Sequence, residues 1–190
     1  IDESEIYTFR QIDSRLQGHP DKKRLELLHG TTGSLGQGLS LAIGHALAFK
    51  MKNLQNNAFC IDGDGELQEG QVWESFMIAP KFNLNNLCCF IDRNGSQNEG
   101  NVDEILSLDP LDEKIRSFGW DVCEIDGHST AEIHNEMSRF RKRNNSMPKC
   151  VILNTKKGMG VSFMMSPVWH ARAPTDSELE SALREIDNES

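Results

Sequence analysis

Residues 58–100 read AFCIDGDGELQEGQVWESFMIAPKFNLNNLCCFIDRNGSQNEG, and the fold is decided by this stretch. Two short apolar runs, AFCI at 58–61 and LCCFI at 87–91, each lead into an aspartate and a glycine-bearing turn. The turns are Asp62-Gly63-Asp64-Gly65 and Asp92-Arg93-Asn94-Gly95. Between the runs, residues 68–81 have helical character. Short apolar runs flanking a helix-length segment predict a βαβ unit with two parallel strands. Parallel strands end at one edge, where ligands of open α/β sheets bind, so Asp64 and Asn94 are expected to meet there on one ligand.

Oxygen-bearing side chains on glycine-rich turns suit a hard divalent cation. Mg²⁺ takes a near-octahedral oxygen set, commonly one or two carboxylates completed by phosphates and water. Glycines let backbone N–H groups approach a phosphate closely, and a helix N-terminus adds partial positive charge. The residues alone therefore point to an Mg²⁺-diphosphate site. A calcium loop of the EF-hand type fails on spacing. With Asp62 at position one, Leu67 stands where glycine is needed and Trp73 where the bidentate glutamate is needed.

Working outward, residues 1–15 read as a helix or its remnant, and Gln17-Gly18-His19-Pro20-Asp21 as a turn. The glycine-rich run Thr31-Thr32-Gly33-Ser34-Leu35-Gly36-Gln37-Gly38 opens a buried helix, LSLAIGHALAFKMKN. It is neither G-x-G-x-x-G nor a Walker loop, and spacing alone allows it to be either a phosphate cradle or a tightly packed helix start. Beyond the Asn94 loop the reading gives a helix over 110–118, a strand over 120–125 and a helix over 131–143. A strand over 149–154, a loop over 164–174 and an acidic helix over 177–186 complete the chain. Four strands alternating with helices predict an α/β fold, a doubly wound parallel sheet with helices on both faces, in one domain over residues 1–190.

Composition narrows the class. The chain has 190 residues, 26% charged and 37% hydrophobic, which fits an ordinary globular domain. A net charge of −9, with no basic stripe, argues against nucleic-acid binding. Six carboxylates against one arginine concentrate much of that charge in residues 176–190. No apolar run approaches membrane-spanning length. Five cysteines without a CxxC pair, four of them in apolar runs, read as reduced core thiols of a cytoplasmic protein. A first residue other than Met indicates a chain that begins inside a longer product.

The motifs also resemble a known family. GDGELQEGQVWE, followed some thirty residues on by IDRNGSQNEG, resembles the thiamine diphosphate motif of transketolases. The resemblance continues through FRQIDSRLQGHPD, TTGSLGQGLSLAIGHALA, GWDVCEIDGH, TKKGMGVSFM and WHARAP, in family order, and covers the diphosphate-binding (PP) half of the family. It implies thiamine diphosphate and Mg²⁺ as cofactors. The implied metal ligands are Asp64, Asn94 and the Ser96 backbone carbonyl. Implied cofactor contacts are Gly33, Leu35, Gly63, Asp64, Gly65, Glu66, Asn94 and His170. His19 and His170 match histidines placed around the thiazolium and substrate, and Glu69 matches a glutamate that reaches across the subunit interface. By placement alone both histidines could be surface-loop residues and Glu69 a helix-start charge, as Lys156, Lys157 and Arg172 read as solvated loop charges. The other four histidines, His29, His45, His128 and His134, have ordinary positions in turns and helices.

No pyrimidine-binding (Pyr) domain follows WHARAP, so the resemblance implies the N-terminal subunit of a split transketolase. Its partner would carry that domain and the glutamate that protonates the aminopyrimidine, in an α₂β₂ assembly acting on sugar phosphates. Two departures stand out: Ala171-Arg172 replaces the usual Gly-Lys, and Pro80 is expected to kink its helix. Another thiamine diphosphate-dependent ketol or acyl transfer, or a non-catalytic regulatory subunit, remains open on sequence.

Overall fold

The computed structural model describes residues 1–189; Ser190, the last residue of the predicted acidic segment, lies outside them. In chain order the elements are α1 (Glu3–Ile6), α2 (Gln37–Met51), β1 (Ala58–Gly63), a 3-10 turn (Gly65–Gln68) and α3 (Gly70–Lys81). There follow β2 (Leu87–Arg93), β3 (Ser96–Gln97), β4 (Gly100–Asn101), α4 (Val102–Leu106) and α5 (Leu111–Ser117). The rest is β5 (Asp121–Asp126), α6 (Thr130–Lys142), β6 (Lys149–Asn154), 3-10 turns at Ser162–Met164 and Pro167–His170, and α7 (Asp176–Glu189).

Strands β1, β2, β6 and β5 form one parallel sheet in that order. The chain steps one way from β1 to β2 and on to β5, then turns back to insert β6. Crossovers of a single hand must then place α3 and α5 on one face and α6 on the other. The two cores agree. Leu39, Phe76 and Ile115 pack with Cys89, Ile91 and Ile152 on the first face. Phe140 of α6 meets Cys88 and Val151 on the second. The expected sheet, wound in both directions with helices on both faces, is therefore present.

Strand β1 is buried on one side only. Ala58 and Cys60 enter the core, whereas Phe59 and Ile61 are exposed, Ile61 at 72%. All five cysteines are free thiols and four are buried, as the apolar runs predict.

Pro80 lies in the last turn of α3 and ends the helix rather than kinking its middle. Proline cannot donate to the carbonyl four residues back. That carbonyl, of Phe76, accepts instead from the Trp120 indole at 2.8 Å, which ties α3 to the start of β5.

The first expected helix fails beyond α1. Arg10 and Asp13 adopt positive φ, 61° and 67°, and the Arg10 N–H turns back onto the Leu16 carbonyl. None of the α1 residues is buried, so no apolar face holds this segment helical. The β3–β4 hairpin and α4 are elements the sequence reading did not separate from the Asn94 loop, and the expected loop over 164–174 contains a 3-10 turn.

Candidate functional site

The parallel register aligns Gly63 of β1 with Asp92 of β2, and Asp92 with Leu153 of β6. The next residues along therefore emerge side by side at the carboxyl edge. Asp64 follows β1 and is 3% exposed. Its Oδ1 accepts from the Gly65 N–H at 2.8 Å and its Oδ2 from the Gly95 N–H at 2.6 Å. The second bond crosses from one loop to the other. Burial pushes the Asp64 carboxyl up from its usual value, against the pull of the Gly95 and Gly65 amides. Among the described residues no ion pair reaches it.

Asn94 is fixed at both ends of its amide. Its Oδ1 accepts from the Ser96 N–H at 2.9 Å, and its Nδ2 donates to Asp92 Oδ2 at 3.1 Å. The loops also approach too closely for a side chain at Gly65, where a Cβ would fall 2.7 Å from that of Gln97. Asp64, Gly65, Asn94 and Ser96 are thus brought together.

A third loop joins through Glu66. Its carboxylate accepts from the Gly36 N–H at 2.8 Å and from the Gly63 N–H at 3.1 Å. It bridges the start of α2 to the end of β1. Gly36 caps α2 with φ 78°, a conformation that favours glycine, and offers no side chain to the helix end. A cavity of about 240 Å³ lies to one side, bordered by Gly38, Asp62 and Glu66 together with His29, His45 and Phe59, and Asp64 and Asn94 do not line it. Gly33 packs on His19: a Cβ there would lie 2.7 Å from the His19 Cβ. Leu35, on the same turn, is 58% exposed.

The family assignment follows from comparison. Residues 1–185 match the transketolase, thiamine diphosphate binding domain. The chain belongs to this family. It is 41% identical over 183 residues to the 6-deoxy-6-sulfo-D-fructose transketolase subunit SqwG of Clostridium sp. (strain MSTE9), covering 96% of this chain and 66% of that protein. It is 37% identical over 190 residues to an apulose-4-phosphate transketolase subunit of Actinobacillus succinogenes, covering 100% of this chain and 68% of that one. The chain thus spans about two thirds of the length of these two relatives. The crystal structure of transketolase from Campylobacter jejuni superposes with a TM-score of 0.85 at 25% identity, covering 97% of this chain and 30% of that one.

Within this transketolase-family domain the remaining predicted residues lie on exposed loops. Glu69 caps α3 by its backbone, makes no side-chain cap bond and is exposed. It adjoins α2, since a Cβ on Gly36 would lie 3.0 Å from the Glu69 Cβ. His170 ends a 3-10 turn that packs on the β3–β4 hairpin, with its Nδ1 3.5 Å from Lys157 Nζ. His19 is exposed beside Gly33. Arg172 is not a free loop charge: its guanidinium stacks 4.3 Å from the Trp169 ring centre and pairs with Glu178 at the start of α7.

Three residues escaped the sequence reading. Asp62 is 1% exposed and accepts from two thiols, Cys60 at 3.1 Å and Cys89 at 3.3 Å. Burial raises its pKa. The alternation Ala58, Cys60, Asp62 was the available signal, since every second strand residue faces one way. Thr155 donates to Asp92 Oδ1. His128, read as an ordinary loop histidine, accepts the Lys156 N–H at Nε2, at 2.8 Å.

Proposed function

We propose that this chain is the thiamine diphosphate- and Mg²⁺-binding subunit of a two-component, cytoplasmic transketolase. In this reading it moves a two-carbon ketol unit from a ketose donor to an aldose acceptor. The observation that carries the reading is Asp64: a carboxylate almost wholly buried, without an ion pair among the described residues, tied by one hydrogen bond to the loop that presents Asn94. A buried charge needs a partner, and a bound cation supplies one.

The donor set fits Mg²⁺. One carboxylate oxygen, the Asn94 amide oxygen and the Ser96 backbone carbonyl are all hard oxygen ligands. Among the described residues no group of three or more His, Cys, Asp or Glu side chains is placed to hold a metal, so diphosphate and water would complete the shell. Thiamine diphosphate, when bound, supplies the carbanion chemistry that breaks and remakes a carbon–carbon bond beside a carbonyl. The chain's own residues bind and orient. Gly33, Gly63 and Gly65 leave room for close backbone approach, Leu35 offers apolar surface, and Glu66 holds two of the loops together. His19 and His170 would bind substrate hydroxyls and assist proton transfer. Glu69, exposed at the rim, is the contact for a partner subunit carrying the Pyr domain.

The two relatives named above are subunits, and their names give a sulfonated and a phosphorylated ketose. The donor proposed is therefore a ketose ending in an anionic group, and the assembly an α₂β₂ heterotetramer. Reconstitution with the Pyr-domain partner tests this. Ketol transfer from a phosphorylated or sulfonated ketose, only when both chains are present, is the expected result. Failure of every ketose together with success of an acyl donor would reject it in favour of acyl transfer. Turnover unaffected by Asp64→Ala would instead give this chain a regulatory role.

A further inference from the structure

An asparagine ligates a cation only through its oxygen, and its two amide ends have nearly the same shape. A site that depends on Asn94 must therefore decide which end faces the metal. We infer that Asp92 and Thr155 make that decision, as positioning residues that lock the Asn94 carbonyl toward the cation; this rests on the function proposed above.

The geometry is specific. Asp92 Oδ2 accepts from Asn94 Nδ2 at 3.1 Å. An ionised carboxylate only accepts, so it tolerates the NH₂ end alone. The Ser96 N–H, a donor, meets the oxygen end at 2.9 Å. Asp92 also accepts the Asp64 N–H on its backbone carbonyl at 3.2 Å, so a single residue connects both proposed ligands.

Thr155 holds Asp92 in turn. Its backbone N–H donates to the Arg93 carbonyl at 3.2 Å, extending the pairing of β2 with β6 by one residue, and its hydroxyl donates to Asp92 Oδ1. The threonine methyl sits against Gly127, where any Cβ would lie 2.4 Å from Thr155 Cγ2. A β-branched side chain wedged in this way keeps one rotamer, the one that aims its hydroxyl at Asp92. The next residue is secured as well, by the Lys156 N–H on His128 Nε2. Asp92, which orients Asn94, is thus itself held from the segments that follow β6 and β5, two strands that carry none of the proposed metal ligands.

The test uses the complex with the Pyr-domain partner, thiamine diphosphate, and Mn²⁺ as the probe, with free Mn²⁺ counted by electron paramagnetic resonance. Asp92→Asn can donate as well as accept, which leaves only the Ser96 N–H to orient Asn94, so Mn²⁺ affinity should fall about 10-fold or more. Thr155→Val should weaken binding and Thr155→Ser should restore most of it. The deciding arm is a double-mutant cycle. Asn94→Asp presents oxygen in either orientation but sets two acceptors against each other at Asp92, so Asp92→Asn added to it should hold or raise Mn²⁺ affinity rather than lower it. Equal losses in both backgrounds, or no loss in the native one, would overturn the inference. If Asp92→Asn fails to fold, the Val and Ser variants at Thr155 decide alone, and equal behaviour of the two overturns it. Absence of Mn²⁺ uptake by the unmodified complex would remove the proposed function itself, whereas normal uptake with indifferent variants would remove only this step.

Discussion

The loops that carry Asp64 and Asn94 and the loops that carry His19 and His170 serve one proposed site but are held in different ways. The first pair is cross-linked: Asp64 to Gly95, Asn94 to Asp92, Asp92 to Thr155, and Glu66 to both Gly36 and Gly63. The second pair of side chains is exposed: His19 packs on Gly33, and His170 lies 3.5 Å from Lys157 at the end of a turn that rests on the β3–β4 hairpin. Ligands that must meet a cation within tenths of an ångström need such cross-linking within one chain. Groups that meet a substrate can await completion of the site by a partner. The difference predicts that cofactor binding and turnover separate on mutation.

Asp64→Ala should have the largest effect. Calorimetry on the assembled complex should show thiamine diphosphate affinity in Mg²⁺ reduced by at least about 100-fold. The apo chain should change little in melting temperature, because relief of a buried carboxylate offsets the loss of its bonds to the Gly65 and Gly95 amides. His19 is not among the implied cofactor contacts, so His19→Ala should cut turnover by roughly 10³-fold while the cofactor dissociation constant stays within about twofold. A matching loss of cofactor affinity would erase the distinction between the two sets of loops.

A smaller effect is expected far from both, at the amino ends of β5 and β6. Lys149 and Glu136 are each buried, with Lys149 Nζ 3.5 Å from Glu136 Oε2 and 3.4 Å from Asp121 Oδ1. Burial alone would push the Glu136 carboxyl up, but the Cys123 thiol, Arg139 and Lys149 outweigh it and hold the group below its usual value. Glu136→Gln should cost about 2 kcal/mol in urea unfolding at neutral pH, since buried Lys149 keeps Asp121 at 3.4 Å but loses its second carboxylate. A depressed folded pKa stabilises above the unfolded value and is lost as pH falls through the folded one. The gap between native and variant should therefore close on acidification below the ordinary carboxylate range. The smallest effect is Gly36→Ala, about 1–2 kcal/mol from a left-handed backbone position, with Glu69 displaced by the added methyl.

Much of this architecture could be read before the fold was known. The apolar runs at 58–61 and 87–91 mark strands because they are short, β-rich and bounded by glycine turns, and both begin where the observed strands begin. Asp64 and Asn94 were legible because parallel strands leave no choice about which edge their ends share. What stayed hidden depends on strand order. Thr155 reaches Asp92 only because β6, last in sequence, inserts between β2 and β5. The same insertion brings Lys156 against His128. The polar residues 96–106 carry no periodicity long enough to announce a hairpin and a short helix. Residues 1–15 carry charge typical of a helix but no apolar face to bury, and the chain there turns back on itself.

The central claim is that two neighbouring strand ends grip a cation which in turn binds a diphosphate. It is tested most directly by titrating thiamine diphosphate into the complex of this chain and its partner, with Mg²⁺ and then with the metal chelated. Tight uptake that disappears on chelation, and is equally absent in Asp64→Ala, is the predicted result. Uptake of equal affinity under both conditions would contradict the account.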